Sequence, residues 1–490
     1  MAIAFTEIPA SLLVPGQYQE IDNSLAGSVS DVKRALMIGT MAAQGTATAG
    51  KAVQVRSADR AKKLFGNGSP ASIMAEEFLS HNKTEELYVL PIAEPAAGLK
   101  WNQSFIVAAS NVQAGSVSIV INGEKIDAGI SEGATAQEAA SAIVAAINGE
   151  ENCPVEAEVV EDSENNRISV KLTSVVKGVT GNYNKVEITS AASGVSITAQ
   201  DAVLGTLSPD IETPLKNLGS VRYHYLACEF TDSANLKALA NELNDRYTAL
   251  RQIDGRCFIA LTGEAGDTDT SGTMLYAAQS INCPHIVPVP RGNAVQHPCV
   301  WAAAWCAVLS RRLSDDPAAN TTDIEISDLT ADEFSFDDRQ PLLAAGISTY
   351  RLDSTGTVLV ERVVTSYTEN SDGARDTSYL DIQVVETVSA IRTKINQEAR
   401  KRFKTWKLAK TEENFGAGSK VMTPGVWRSF LAELYQSYFI QEVQWCQDFE
   451  SYKDSIIVEV KSDSKTRLEY RHRPVLIGQF YIGAGLNQFM

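Results

Sequence analysis

Residues 221–263 read VRYHYLACEFTDSANLKALANELNDRYTALRQIDGRCFIALTG and contain a strand–helix–strand pattern. The apolar runs 221–230 and 256–263 predict two buried strands, and the segment 234–250 between them has the apolar spacing of a helix. Units of this kind are typical of parallel sheets that carry helices on both faces. This stretch therefore predicts an α/β domain.

The same alternation continues on both sides. Strands are predicted at 34–40, 53–57, 86–92 and 285–290, with helices at 59–65, 70–80 and 298–313, the last of these apolar on nearly every side. Residues 98–207 are instead rich in small and β-branched residues and include the hairpin-like stretch SVSIVINGEKIDAGI at 116–130. We predict an α/β core domain formed by 31–97 and 208–330, with 98–207 as a β-rich inserted outer domain.

The remainder predicts a C-terminal α+β domain over 331–473. Residues 346–352 and 357–367 read as a hairpin, and Ser378 and Asp381 resemble a capping box that opens an amphipathic helix with apolar residues at Leu380, Val384, Val388, Ile391, Ile395 and Ala399. Thr423 and Pro424 predict the start of an aromatic-rich core helix over 426–445. Extended arms are expected at 1–30 and 474–490. The fold class is thus multidomain, α/β and α+β.

A basic run lies in this C-terminal domain. Residues 391–410, IRTKINQEARKRFKTWKLAK, carry eight basic side chains and one carboxylate in a chain of net charge -17. A local reversal of sign predicts a docking face for an acidic partner, and a solvated helix face is the alternative. The candidate contact residues are Lys394, Arg400, Lys401, Lys404 and Lys407.

The composition argues against several classes of protein. The N-terminus has no basic segment before an apolar one, so a secretory signal is not expected, and the most apolar stretch, 299–309, is too short to cross a membrane. Seven scattered cysteines without a CxxC pair fit reduced thiols. An acidic chain is a poor general ligand for nucleic acid. We therefore expect neither membrane insertion nor direct nucleic-acid binding.

Three near-motifs do not define a chemical site. Residues 45–52 miss a phosphate-binding loop because Ala52 replaces the required hydroxyl, and the calcium-like loop that starts at Asp267 has Ala278 at its twelfth position. Two Cys/His pairs at 283–285 and 297–299 read as buried structural residues rather than zinc ligands. No cofactor, metal site or enzymatic activity is predicted. The alternatives left open are a nucleotide-binding α/β enzyme and a nucleic-acid-binding protein that uses the basic helix.

Several stretches together resemble one family, the contractile tail sheath proteins of Mu-like phages. They include IPASLLVPGQYQEIDNSLAG at 8–27, RALMIGTMAAQGTATAGKAVQV at 34–55 and LLAAGISTYRLDSTGTVLVERVVTSYTENSDGARDTSYLD at 342–381. The resemblance implies a structural subunit that stacks as hexameric rings around a tail tube and contracts to drive the tube through a cell envelope. It implies a place in the virion tail after assembly in the host bacterial cytoplasm. Its implied partners are further copies of the chain, the tail tube protein, and baseplate and tail terminator proteins.

The resemblance also implies that the two arms add strands to sheets of neighbouring subunits, which would complete the C-terminal domain. Both arms alternate apolar and polar residues without an evident local partner strand, although self-pairing within one subunit is the alternative. The basic run becomes the candidate contact with the tube. The candidate inter-subunit strand residues are Val14, Tyr18, Glu20, Ile21, Val475, Ile477, Phe480 and Ile482.

Overall fold

The structure, a computed structural model, describes residues 33–489 except 166, 414 and 417. The first segment contains β1 Arg34–Thr40, β2 Val53–Gln54, α1 Ala58–Phe65, α2 Pro70–His81 and β3 Glu86–Ile92. The insert contains β4 Asn102–Ala109, β5 Gly115–Ile121, β6 Glu124–Ile130, α3 Ala136–Gly149, β7 Val155–Asp162, β8 Arg167–Ser174, a 3-10 turn Val179–Tyr183, β9 Val186–Ser190 and β10 Val195–Ala199.

The chain then returns to the first unit and continues into the C-terminal part. The return segment contains α4 Glu212–Lys216, β11 Tyr225–Cys228, α5 Ser233–Tyr247, β12 Arg256–Thr262, α6 Met274–Ala278, β13 Ile286–Gly292 and α7 Pro298–Asp315. The last part contains β14 Glu325–Ile326, α8 Phe336–Ala344, β15 Thr349–Leu352, β16 Val358–Arg362, α9 Ile382–Phe403, β17 Lys407–Leu408, β18 Val421–Met422, α10 Pro424–Leu434, a π-helix Tyr435–Glu442, β19 Cys446–Gln447, α11 Phe449–Ser455, β20 Ile457–Val460, β21 Leu468–Arg471 and β22 Val475–Leu476.

The predicted parallel sheet is confirmed. Six strands lie in the order β13-β12-β11-β1-β3-β2, and all neighbours are parallel except the edge strand β2. Alternate residues of β1 enter opposite cores: Ala35 and Met37 pack with α2 and α7, whereas Leu36 and Ile38 pack with α5. The near-continuous apolar strands are therefore explained by helices on both faces.

Helix α7 is the central element of one face, as its sequence predicts. Trp301 and Trp305 are fully buried, and Pro298 occupies the first turn. The helix begins where His297 accepts a hydrogen bond from the backbone N–H of Cys299 through Nδ1, at 3.2 Å. An imidazole thus takes the role that a serine or aspartate has at most helix starts.

The insert has a core of its own between two antiparallel sheets, β10-β4-β8-β7 and β6-β5-β9. The predicted hairpin is formed by β5 and β6, and its turn residues Asn122 and Gly123 have φ values of 51° and 94°. Such left-handed pairs match the twist of a two-residue hairpin. Helix α3 starts with a capping box between Thr135 and Glu138.

The boundary between the two hydrophobic cores does not lie at residue 331, the predicted start of the C-terminal domain. The small sheet β14-β16-β15 contributes Ile326, Tyr350 and Val358 to the same core as Trp301. The backbone N–H of Ser348 also donates to Pro288 O of β13, at 3.0 Å. Because these contacts join 324–363 to the parallel sheet, the separate C-terminal core begins only within α9.

That C-terminal core is aromatic. Ile391 and Ile395 of α9 pack against Phe430, Tyr435 and other residues of α10, the π-helix and α11. Thr423 caps α10 by accepting from Val426 N, as predicted. The predicted single helix over 426–445 is replaced by α10 followed by eight residues of π-helix. Phe430, Tyr435 and Phe439 are buried in this core, as the prediction of a core helix requires.

Candidate assembly surfaces

Helix α9 begins one residue after Asp381, but the predicted capping box is wrong. The Asp381 carboxylate makes no hydrogen bond to the first turn of the helix. It accepts two hydrogen bonds from Arg362, from Nε at 2.9 Å and Nη2 at 3.0 Å. The hydroxyl of Ser378 donates to Asp376 instead. A bidentate pair with a guanidinium is a stronger interaction than a cap to a neutral amide.

The apolar stripe predicted for α9 is correct only in its second half. Ile391 and Ile395 are buried, but Val384 and Val388 are only partly buried. In the first turns three of the five buried residues are polar, since the buried set is Ile382, Gln383, Val385, Thr387 and Ser389. The first turns of the helix are enclosed on nearly all sides. Polar side chains that the predicted stripe would leave at the surface therefore contact other parts of the protein.

A buried carboxylate holds α9 against the amino ends of the parallel strands. Asp254, which precedes β12, is 2% exposed. It accepts hydrogen bonds from Arg392 Nη2 at 2.6 Å and Ser389 Oγ at 2.5 Å, both from α9. Arg256 and Arg222 of the α/β unit approach the same carboxylate at 3.4 and 3.5 Å. We call these five residues the Asp254 clamp.

Arg256 extends the Asp254 clamp along the helix. Its guanidinium is fully buried, pairs with Glu386 at 3.0 Å, and donates to Val385 O at 3.0 Å and Ser389 Oγ at 2.8 Å. Burial alone would raise the pKa of Asp254, but the arginines around it hold that pKa well below its usual range. The carboxylate is therefore charged at neutral pH and tied to both halves of the molecule.

Four of the predicted contact residues form an exposed basic surface: Arg400, Lys401, Lys404 and Lys407. They lie on the last turn of α9, its C-terminal cap and β17. Within the described part of the chain, none of the four side chains has a hydrogen-bond or ion-pair partner. Cations at a helix C-terminus are also favoured by the helix dipole. We call these four residues the basic surface.

Other cations of the run are used within the chain. Lys394, the fifth predicted contact residue, lies 3.2 Å from Glu398 and its Nζ sits 4.0 Å from the centre of the Tyr438 ring. Arg402 pairs with Glu398 and Glu433, and Arg392 belongs to the Asp254 clamp. Within the described residues, the run thus divides into cations without an ion-pair partner and cations that are paired within the chain.

Charge is distributed unevenly along the whole sequence. Residues 382–490 contain 16 basic and 12 acidic side chains, whereas residues 1–381 contain 27 basic and 48 acidic ones. The basic surface therefore belongs to a cationic module that is joined to a strongly anionic one. Long-range attraction of acidic partners is directed towards the C-terminal module.

The C-terminal arm first pairs as a strand within its own chain and then follows the surface of that chain without forming a strand. Gln479 Nε2 donates to Ala318 O at 2.9 Å, and the Arg362 guanidinium lies 5.0 Å from the centre of the Tyr481 ring. Val475 pairs with Gln447 in a two-stranded antiparallel sheet, and Ile477 N donates to Trp445 O at 3.0 Å. No strand follows Leu476 among the residues described. Large apolar side chains are exposed there: Phe480 is 81%, Ile482 80% and Leu486 84% exposed. Self-pairing thus accounts for Val475 and Ile477 but not for Phe480 and Ile482.

An open strand edge lies near the start of this arm. Strands β20 and β21 form a sheet of only two strands. An apolar groove of about 360 Å³ lies between β21 and α9, and its lining includes Ile391, Ile395, Tyr470 and Leu476. An unpaired edge beside an apolar groove is what an added strand requires. The N-terminal candidates Val14, Tyr18, Glu20 and Ile21 lie outside the described residues.

The near-motifs have structural roles. The Asp267 carboxylate accepts from the backbone N–H groups of Asp269 and Thr270 and shapes a turn before α6, and residues 45–52 form a loop into β2 rather than a helix start. Burial lowers the pKa of His297 to about 4, and its Nε2 donates to Thr180 O at 3.0 Å.

Among the described residues no cluster of acidic, His or Cys side chains is arranged for a metal, and no helix is long and apolar enough to cross a membrane.

The chain is similar to a protein family, to a curated relative and to several solved structures. Residues 205–366 match the family described as the phage tail sheath protein central domain. The chain is 31% identical over its full length to the full-length Mu-like prophage FluMu tail sheath protein of Haemophilus influenzae. A sheath tail protein of Desulfitobacterium hafniense covers 95% of this chain and 100% of its own at 11% identity and a TM-score of 0.45. A chain in the structure of the anti-feeding prophage baseplate covers 97% of this chain and 99% of its own length, at 11% identity and a TM-score of 0.43.

The Asp254 clamp predicts a large effect of a small substitution. Asp254→Asn keeps the shape but leaves buried arginines without their counter-charge, so we expect a loss of roughly 3–5 kcal/mol in the free energy of unfolding. Denaturant unfolding of the purified chain measures it. Asp245→Asn is the matched control, because Asp245 is 58% exposed and pairs with Arg251 at the surface, and it should cost less than about 1 kcal/mol. Equal losses in the two variants would contradict the clamp.

The clamp also predicts acid sensitivity. Because the folded pKa of Asp254 is lowered, its stabilisation is present above the unfolded pKa of about 4 and is lost as pH falls below that value. The difference in unfolding free energy between wild type and Asp254→Asn should therefore be large at pH 6 and shrink progressively below about pH 4. Thermal unfolding across pH 3–7 tests this, and a pH-independent difference would refute it.

Proposed function

The chain belongs to the phage tail sheath family, the structural proteins of contractile phage tails, and from this premise we propose that it polymerises as stacked hexameric rings around a tail tube. Contraction of this sleeve drives the tube through the envelope of the target cell. The proposal includes further copies of the chain, the tube, baseplate and tail terminator proteins as partners. It places the protein in the virion tail after assembly in the host cytoplasm.

The observation that carries this proposal is the exposed apolar C-terminal arm. Phe480 and Ile482 are about four-fifths exposed on a segment that forms no strand with the described part of its own chain. A neighbouring subunit offers the open edge of β21 and the groove beside α9 as a place for such a segment. Strand donation satisfies the backbone of the arm and buries its apolar side chains in one step.

The N-terminal arm is proposed as a second donated segment, with Val14, Tyr18, Glu20 and Ile21 as its strand residues. Together with the C-terminal arm it would complete the C-terminal module from neighbouring chains. Covalent arms that are shared between subunits keep rings connected while the bodies slide and rotate. The sheath then needs no bound nucleotide, because an extended state can be held by a kinetic barrier.

The basic surface is proposed to face the tube. Arg400, Lys401, Lys404 and Lys407 are exposed at the end of α9, whereas Lys394 is already engaged by Glu398 and Tyr438 and contributes to the fold of the module. Exposed ion pairs contribute only about 0–1 kcal/mol each. A set of such contacts holds the tube in register and is released when the sheath expands outward.

Removing apolar side chains from the arm should block polymerisation without unfolding the subunit. In the variant Phe480→Ser/Ile482→Ser/Leu486→Ser, we expect electron microscopy and sedimentation to show small species where wild type forms tubes. The melting temperature of the subunit should change little, because these side chains are exposed in it. The control Leu250→Ser/Phe336→Ser removes equally exposed apolar groups elsewhere and should still form tubes. Normal tubes from the arm variant would refute strand donation.

Reversing charge on the basic surface should weaken tube binding and spare self-assembly. Lys401→Glu/Lys404→Glu is expected to form sheath tubes but to retain at least 10-fold less tube protein in co-assembly and pull-down assays. Higher salt should weaken wild-type binding in the same direction. Lys63→Glu/Lys83→Glu makes the same charge change at exposed sites of the α/β unit and serves as control. Loss of self-assembly with unchanged tube binding would place this surface between subunits instead.

A further inference from the structure

The parallel sheet has a crevice at the carboxyl ends of β1 and β11. Strand β1 has β3 on one side and β11 on the other, so the direction of the strand order reverses between β1 and β11. Open α/β sheets bind their ligands at this point of reversal. Here it is marked by Thr40, the last residue of β1, and by Glu229, which directly follows β11.

The insert fills this crevice. Glu229 is 7% exposed and accepts hydrogen bonds from Thr40 N at 2.6 Å and Thr40 Oγ1 at 3.2 Å. Its other contact is the hydroxyl of Thr180, from the 3-10 turn of the insert, which donates to the same carboxylate. The carbonyl of Thr180 accepts from His297 at the start of α7. The ring of Tyr183 packs edge-on against the His297 imidazole, with centroids 5.8 Å apart.

Two further contacts hold the insert on the same unit. In the α1–α2 loop, Gly68 N donates to Asn152 Oδ1 at 2.9 Å, and a Cβ on Gly68 would lie 1.8 Å from Cys153 O. After β13, Lys185 Nζ donates to Asn293 O at 2.5 Å. Two separate loops of the insert, 150–154 and 178–185, therefore reach three separate places on the α/β unit, so the insert is fixed at several points rather than hinged at one.

We propose that the turn Val179–Tyr183 is an intramolecular plug that closes the ligand crevice of the α/β unit and fixes the insert on it. The insert then has a role beyond decoration, because it supplies the partner that the buried Glu229 carboxylate needs. Burial raises the pKa of Glu229 to about 7, and the hydrogen bonds from Thr180 and Thr40 act in the opposite direction by stabilising the charged form. The plug goes beyond the proposed function, since it concerns the subunit before any assembly.

The plug explains two features of the structure together, namely the occupied crevice and the fixed position of the insert beside its crossing strands. The unit has the topology of ligand-binding α/β domains, yet the Glu229 carboxylate in the crevice is already occupied by Thr40 and Thr180. The crossings between unit and insert run side by side, with Asn102 and Val203 exchanging backbone hydrogen bonds of 3.0 and 2.8 Å. The plug, together with the contacts at Gly68 and Asn293, keeps the insert from turning about this pair of crossing strands.

Hydrogen exchange of the full-length chain, followed by mass spectrometry, tests the plug. In Thr180→Ala the exchange of peptides that cover 38–42 and 228–231 is expected to rise at least 10-fold, because the Thr40 amide and Glu229 become accessible to water. Thr180→Ser keeps the hydroxyl and should stay within about 2-fold of wild type. Thr189→Ala, an exposed threonine on β9, is the matched control. Wild-type exchange in Thr180→Ala would overturn the proposal.

Two further measurements separate the plug from a general loss of stability. In a Glu229→Ala background, adding Thr180→Ala should raise exchange less than 2-fold further, because the shared contact is already gone; an undiminished effect would overturn the assignment. Calorimetry of wild type should show the insert and the α/β unit unfolding in one transition. Separate transitions for the two in wild type would show that the insert is only tethered.

Discussion

The structure depends on one buried carboxylate. Asp254 lies where the amino ends of the parallel strands meet α9, and it is the acceptor for arginines from both sides of that boundary. Helix α9 enters the main core at Ile382 and the aromatic C-terminal core at Ile391 and Ile395. The orientation of the C-terminal module, and with it the direction of the basic surface, is therefore set by how this helix is held at Asp254.

The Asp254 clamp fixes the direction of α9, which an apolar contact does not do. Burying charges is costly, and well-packed hydrophobic residues often stabilise a fold as much or more. Hydrogen bonds, however, fix direction: Arg256 donates to Val385 O and Ser389 Oγ, so a rotation or a one-turn slip of α9 breaks several bonds at once. The same logic applies at Glu229, where Thr180 fixes the insert in one position. Both contacts therefore oppose small displacements of one part of the subunit against another.

Sequence patterns predicted the features that depend on neighbouring residues and missed the ion pairs between residues far apart in the sequence. The strand–helix alternation, the Asn122–Gly123 turn and the Thr423 cap depend on neighbouring residues, and all three are confirmed. The capping box failed because Arg362, 19 residues away, takes the Asp381 carboxylate. Only part of the basic run is available to a partner, because Arg392 forms an ion pair with Asp254, which lies 138 residues away in the sequence. Isolated charges such as Asp254 and Glu229 carry no local signal, so their partners could not be assigned before the fold was known.

The two kinds of contact in this chain suit opposite tasks. The Asp254 clamp and the Thr180–Glu229 contact are buried, so breaking either leaves charge or polar groups without water, and the subunit interior resists change. The basic surface and the side chains of Phe480, Ile482 and Leu486 in the arm are exposed, so they contribute little to the fold of their own chain. Contacts of that second kind can be made and broken between subunits without unfolding any of them. The proposed sleeve would need both kinds of contact, and α9 carries one of each: it meets Asp254 through Ser389 and Arg392 and ends in the basic surface.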